Sequence, residues 1–253
     1  MKRERAFVEA RRKQILEIMK NNPKVMVDEL SKKFEVSPIT IRRDLQYLED
    51  HKYLVRFYGG AEAADPKERE ENEIKVYRKL IAKYAASLVQ DGDSLFINTS
   101  QNALQMLDYV SCKDVTVITN NGKIIGKEYG NGISVLLSGG EMRGPKGALV
   151  GDFASRNLQT VFPKKAFMGC SGISPISGMT TEVASEMKIN ELMIMNTTQD
   201  VYLLADHTKV GKSSSFTSSP VKNIKHLITD EKAPQDVLDE LESMGVKIHI
   251  VKK

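Results

Sequence analysis

A chain of 253 residues, 41% of them hydrophobic, has material for one or two domains with a substantial core. No apolar run reaches the roughly 18 residues of a membrane span, and the charged opening MKRERAFVEARRK lacks the apolar stretch of a secretory signal, so a cytoplasmic protein without a membrane partner is expected. The net charge of +4 is unevenly spread: residues 1–60 hold 14 Lys/Arg against 9 Asp/Glu, net +5, leaving −1 for the remainder. A basic head on a nearly neutral body suits local contact with a polyanion, and equally a basic solvated face. Cys112 and Cys170 are too few for a disulfide framework. No Cys/His cluster has metal-ligand spacing, so no metal and no cofactor is expected.

The head reads as three helices and a short hairpin. In FVEARRKQILEIMKN, Ile15, Leu16, Ile18 and Met19 recur at helical spacing, and Pro23 stops the helix near Asn21–Asn22. VDELSKKFEV follows with Leu30 and Phe34 four positions apart, on one face. The third helix has the clearest start: Ser37 is a good N-cap and Pro38 suits the first helical position. Ile41, Leu45 and Leu48 then form the buried stripe. Thr40, Arg42 and Arg43 lie largely away from it, and Asp44 is available for an intramolecular pair. Two helices joined by a short turn make a helix-turn-helix candidate, whose second helix enters the major groove with its N-terminal end leading. Arginine can donate two hydrogen bonds to guanine or phosphate, and short hydroxyl side chains such as Ser37 and Thr40 approach the DNA backbone closely. HKYLVRFYGGA then favours extended structure up to a glycine turn. As a wing beside the recognition helix it would offer Lys52 and Arg56 to phosphate or the minor groove; otherwise it is a hairpin that packs its aromatics.

TIRRDLQYLEDHKYLVRFYGGA resembles the N-terminal winged helix-turn-helix of DeoR-family bacterial regulators, through Ser37, Thr40–Leu45, Leu48, Arg56 and Gly59–Gly60–Ala61 in that order. The resemblance implies a DNA-binding unit over residues 1–61 and double-stranded operator DNA as partner.

EAADPKEREENEIK is highly charged, with no apolar period before Ile74, and residues 62–73 read as an interdomain linker. The remainder, 74–253, alternates apolar runs with helical segments. SLFIN, VTVIT, ISVLLS, KAFMGC, VYLLA, HLITD and VKIHIV read as strands. Helices are expected over VYRKLIAKYAASLVQDG, Ala103–Tyr109, Ala148–Gln159, Val183–Met195 and Pro234–Met244. This order predicts an α/β domain with a mainly parallel sheet, which places ligands beyond strand C-termini at a switch in strand order.

Candidate ligand residues follow from that placement. Asn98, Thr99, Ser100, Gln101 and Asn102 come after a strand and before a helix, where hydroxyls, amides and backbone N–H groups hold phosphate or cap the helix. Arg143 and Lys146 suit an anion or a solvated loop. In ADHTKVG, Lys209 can donate to a phosphate or sugar oxygen, and Asp206 can orient it or receive a hydroxyl.

The body also resembles the DeoR-family C-terminal sensor domain, through DGDSLFINTSQN, VTVITNN, VLLSGGEMRG, GISPISGMTTE and ADHTKVGKSSSF. That domain is similar in fold to the ribose-phosphate isomerase class. The resemblance, which covers nearly the whole chain, implies a homo-oligomeric transcriptional regulator, a repressor by preference, that senses a phosphorylated sugar or related metabolite. It brings Ser171, Gly172 and Thr180 into the site beside Asp206 and Lys209.

This sequence departs from the family pattern in one direction. Asn98 stands where the phosphate loop has Asp, and over Asn98–Asn102 the loop also loses the pattern's glycine and its final hydroxyl. Ser171 replaces the carboxylate of a GADGI-like strand end, and Asn190 aligns with a lysine. Two readings stay open: a different metabolite, or a sensor that has lost its ligand. Outside regulation, the rivals are a sugar-phosphate isomerase with a DNA-binding head and an architectural DNA-binding protein without a sensor. The first needs a positioned acid/base group, which neutral Asn98 and Ser171 do not supply but Asp206 and Lys209 could.

Overall fold

The computed structural model describes residues 2–253 and divides into two compact units, one up to Lys75 and one over Val76–Lys253. The first holds α1 (Lys2–Asn21), β1 (Lys24–Met26), α2 (Val27–Phe34), α3 (Pro38–Asp50), β2 (Leu54–Phe57) and β3 (Gly60–Ala63). The helical stripes converge on one core: Ile15 and Met19 of α1, Leu30 of α2, and Ile41, Leu45 and Leu48 of α3, none more than 2% exposed. Glu35 closes α2 in the left-handed conformation, and the chain enters α3 two residues later at Ser37. The hairpin β2–β3 turns through Tyr58–Gly59, with Phe57 paired to Gly60. β1, too short to show a period, adds a third strand on the far side of β3. A Cβ on Gly60 would lie 2.4 Å from the Val25 carbonyl oxygen, so only glycine lets these two backbones meet.

Residues 66–73, inside the expected linker, are helical: α4 runs Pro66–Ala86 and the division between the units falls within it. Proline suits the first helical position, and the Glu/Lys/Arg-rich stretch that follows has good helix propensity without an apolar stripe.

The second unit continues with β4 (Ser94–Ile97), α5 (Gln101–Met106), β5 (Val115–Thr119), β6 (Ile133–Leu137), β7 (Glu141–Arg143), β8 (Ala148–Val150), α6 (Asp152–Gln159), β9 (Lys165–Gly169), β10 (Gly172–Ser174), β11 (Gly178–Thr181), α7 (Ala184–Met195), β12 (Asp200–Leu204), β13 (Phe216–Ser219), β14 (His226–Asp230), α8 (Gln235–Ser243) and β15 (Lys247–Val251). The seven strands read from the sequence form one parallel sheet in the order β15-β14-β12-β9-β4-β5-β6. Both faces of the central strands are covered, which is why they are near-continuous apolar runs, whereas the edge strand β6 leaves Leu136 and Leu137 exposed. Residues of α4 and α5 share a core with Leu95, Ile97, Phe167 and Leu204 on one face; α6, α7 and α8 share another with Phe96, Met168 and Leu203 on the opposite face. Strand order reverses between β4 and β9, so the expected crevice lies at their C-terminal ends.

The expected helix Ala148–Gln159 is corrected at its start. Ala148–Val150 is a strand paired with β7, and Gly151 at φ +89° separates it from α6. A short apolar run does not tell a strand from a helix by period alone.

Candidate functional site

On α3, the Ser37 hydroxyl accepts the Thr40 backbone N–H at 3.3 Å and lies 2.9 Å from the Thr40 hydroxyl. The cap thus holds one of the otherwise unpaired donors of the first turn. Arg42 and Arg43 are exposed, and among the described residues neither has a side-chain partner. Asp44 faces the other way. It is 2% exposed and accepts Nε–H of Arg11 at 2.6 Å and of Arg12 at 2.9 Å. The Arg12 guanidinium also sits 3.6 Å from the Tyr47 ring centre, and Tyr47 stacks on His51. Two basic residues of α1 are therefore spent on holding α3, while the two arginines of α3 point outward.

Arg56 is already engaged. Its backbone N–H donates to Glu49 Oε1 at 2.9 Å and its Nε to Oε2 at 2.8 Å. These bonds, the backbone one first, hold the Glu49 carboxyl below its ordinary range. Arg56 thus ties the wing to the last turn of α3. Lys52 has a left-handed backbone (φ +60°) and reaches Asn72 Oδ1 at 3.5 Å.

In the second unit, Asn98 spans the strand-order switch. Its Nδ2 donates to the Gly169 carbonyl at 2.8 Å and to Asn190 Oδ1 at 3.1 Å; its Oδ1 accepts the N–H groups of Gly169 at 3.0 Å and Ser100 at 3.2 Å. Asn98 is buried and all its polar atoms are used, which makes it a brace between β4 and β9. Ser100 caps α5 and packs onto Gly169, where an added Cβ would lie 1.9 Å from the serine oxygen. Thr99 is buried, Gln101 is exposed, and Asn102 is buried with its Nδ2 unpartnered. Asn120, just past β5, has an unpartnered buried Oδ1.

The ends of β9 and β12 bring the next group together. The Ser171 N–H donates to the Thr180 carbonyl at 2.9 Å, and the Thr180 hydroxyl to the Gly172 carbonyl at 3.0 Å. Ile173 N–H donates to the Lys209 carbonyl at 3.1 Å. Asp206 is fully buried and accepts Arg78 Nε at 2.7 Å, the Thr208 N–H at 3.1 Å and the Thr208 hydroxyl. Burial raises its pKa, but the bonds from Thr208 and Arg78 and the charges of Arg78 and Lys209 outweigh it, so the carboxyl is held below the usual range. Nearby Cys170 is the opposite case: burial pushes its thiol up to about 12, leaving it inert. Asn98, Ser100, Ser171, Gly172, Thr180, Asp206 and Lys209 therefore all belong to the C-terminal edge of the sheet.

The β7–β8 hairpin bearing Arg143 and Lys146 joins this edge through the Leu149 N–H, which donates to the Asn120 carbonyl at 2.8 Å. Arg143 is exposed and pairs with Glu141, which raises its pKa; Lys146 lies 3.7 Å from Glu186.

Residues 11–67 match the DeoR-like helix-turn-helix domain, and residues 75–231 match the DeoR C terminal sensor domain. The chain belongs to the DeoR family. It is a metabolite-sensing DNA-binding regulator. Similar DeoR-type proteins include the Uncharacterized HTH-type transcriptional regulator YulB of Bacillus subtilis, 32% identical over 97% of both chains. The HTH-type transcriptional repressor GlcR of the same organism is 28% identical over 98% of both. The Lactose phosphotransferase system repressor of Staphylococcus aureus is 32% identical over 81% of this chain and 84% of its own. Among solved structures, a D-ribose-5-phosphate isomerase in complex with phospho-erythronic acid is similar at TM-score 0.39 and 13% identity, over 55% of this chain and 54% of that one.

For this DeoR regulator, Arg78 and His207 went unselected in the sequence. His207 bonds to buried Asp230 at 2.9 Å, and both Arg78 and Asp230 lie far along the chain from their partners. Among the described residues no helix is long and apolar enough to cross a membrane.

Proposed function

We propose that the chain is an operator-binding repressor of sugar or related metabolite use, released by a phosphorylated metabolite bound at the C-terminal edge of the sheet. What carries the reading is the division of α3 into a buried stripe, a neutralised Asp44 and an exposed face with Thr40, Arg42 and Arg43. That face supplies major-groove and phosphate donors, while Ser37 starts the helix and the wing with Lys52 and Arg56 lies beside it. The relatives named above include two described as repressors, one of them of a lactose phosphotransferase system. A homo-oligomer suits this use, because paired half-sites are read by symmetric dimers.

The effector half rests on Ser171, Gly172, Thr180, Asp206 and Lys209 at one edge, with unpartnered atoms of Asn102 on α5 and Asn120 just past β5, and with Arg143 and Lys146 on the adjoining hairpin. Asn98 serves this site as a brace, and with Ser100 it shapes the loop that Thr99 and Gln101 complete. Metabolite binding shifts the DNA equilibrium only as far as its affinities for the two states differ.

The test maps genomic binding sites and then titrates recovered operators with a panel of sugar phosphates. Specific sites near sugar transport or degradation genes, lost on addition of one phosphate, are the expected result. Binding with no sequence preference would sink the reading.

A further inference from the structure

Ile39 is 61% exposed in the first turn of α3, directly before Thr40. The buried stripe of α3 runs through Ile41, Leu45 and Leu48, and Ile39 falls outside it. At helical spacing it stands three and four positions before Arg42 and Arg43 and seven before Gln46, so these four positions share one face. Asp44 is turned away from that face onto Arg11 and Arg12, and the first turn holds no acid. The Ser37 cap fixes where the helix begins, and with it the place of Ile39 at the leading end.

A single apolar side chain on a solvated surface needs no explanation. Ile39 differs in its neighbours: it lies beside two arginines without side-chain partners among the described residues, at the end of the helix that leads into the groove. A β-branched residue there gives up some helix propensity and gains no burial. Its stiffness has a use, however. Isoleucine in a helix keeps essentially one χ1 rotamer, so its apolar tip is held before contact and has little freedom left to lose. The apolar group that a base pair shows in the major groove is the 5-methyl of thymine. Arg42 and Arg43 offer hydrogen-bond donors to guanine or phosphate, and the hydrocarbon tip beside them adds the contact that they lack.

We propose that Ile39 is a specificity-determining residue of the operator contact, packing on the 5-methyl group of a thymine in the major groove. This rests on the reading of α3 as the recognition helix and names the apolar part of its readout.

The experiment uses the full-length protein and a recovered operator whose thymines are replaced by uracil, one position of the half-site at a time, which removes only the methyl group. In the wild type, one position should weaken binding about fourfold, the factor that burying one methyl group supplies. Ile39→Ala should weaken binding to the unmodified operator by a similar factor and become indifferent to uracil at that position, as two groups in contact do not add. Ile39→Val keeps the branched tip and should keep the methyl sensitivity. The melting temperature of Ile39→Ala and its affinity for unrelated DNA should match the wild type, since neither a core contact nor a phosphate contact is removed. Full methyl sensitivity in Ile39→Ala, no methyl-sensitive thymine in the wild type, or equal loss of affinity for operator and unrelated DNA each overturns the assignment of Ile39. The recognition-helix reading falls with it only if Arg42→Ala and Arg43→Ala also bind the operator unchanged.

Discussion

Asn98 and Asn190 lie side by side over the strand-order switch, amide nitrogen of the first to amide oxygen of the second at 3.1 Å. In the family pattern these two positions carry an acid and a base, so the two neutral replacements meet in one contact. Asn98→Asp would turn two donors into acceptors facing the Gly169 carbonyl and Asn190 Oδ1. A loss of about 2–3 kcal/mol is expected in urea unfolding. Asn98→Asp/Asn190→Lys should recover part of it by restoring an ion pair. A double variant no more stable than the single one would show that the contact does not couple the two sites.

Asp44→Ala should destabilise the DNA-binding unit by about 2–3 kcal/mol, since it strands two arginine partners that are themselves mostly buried. Operator affinity should fall while the dependence of binding on salt stays unchanged, because no phosphate contact is removed. A shallower salt slope would mean that Asp44 acts on DNA contacts themselves.

Arg42→Ala and Arg43→Ala remove exposed side chains without partners and should leave the melting temperature within about a degree of wild type. Each should weaken operator binding by about 1–3 kcal/mol if it reads a base, with relaxed preference at one position; a phosphate contact would instead weaken all DNA evenly. Unchanged binding by both variants defeats the recognition-helix assignment.

His226 and His249, far apart in sequence, are 3.1 Å apart on β14 and β15. The Tyr84 hydroxyl of α4 lies 2.9 Å from His249; Asp200 and Tyr202 of β12 face His226; Lys225 and Lys247 flank the pair. Burial lowers both pKa values below the ordinary 6.5, against the pull of Asp200 on His226, and in His249 the charge of His226 adds to the lowering. The unfolded chain then binds protons more readily than the folded one. The stability contribution is present above about pH 6.5 and lost as pH falls through the lowered folded values. Thermal melts from pH 7.5 to 5.5 should show this decline, and His226→Phe/His249→Phe should flatten it.

The large sheet is legible in the sequence because a doubly covered parallel strand carries a compact apolar run, as in KAFMG and VYLL. The strands β7, β8, β10, β11 and β13 have three or four residues and no usable period, which is why the sequence of Ala148–Val150 reads equally as the start of a helix. In the head, the stripe Ile41–Leu45–Leu48 and the Ser37 cap were visible because both are local. The contacts that join distant residues left no local signal: Asp44 meets Arg11 33 positions away, and Arg78 meets Asp206 across 128. The charge of Arg56 is visible because it interrupts an aromatic run, but nothing nearby announces that Glu49 also holds its Nε.

The buried Asp44 sets the rules for anyone who would retarget this regulator. Within Thr40–Leu45, Thr40, Arg42 and Arg43 face outward while Ile41, Asp44 and Leu45 hold the helix in its seat. A library aimed at a new operator can vary Thr40, Arg42 and Arg43 freely while Ile41, Asp44 and Leu45 stay constant. Randomising all six would fill most of it with proteins that fail before they meet DNA.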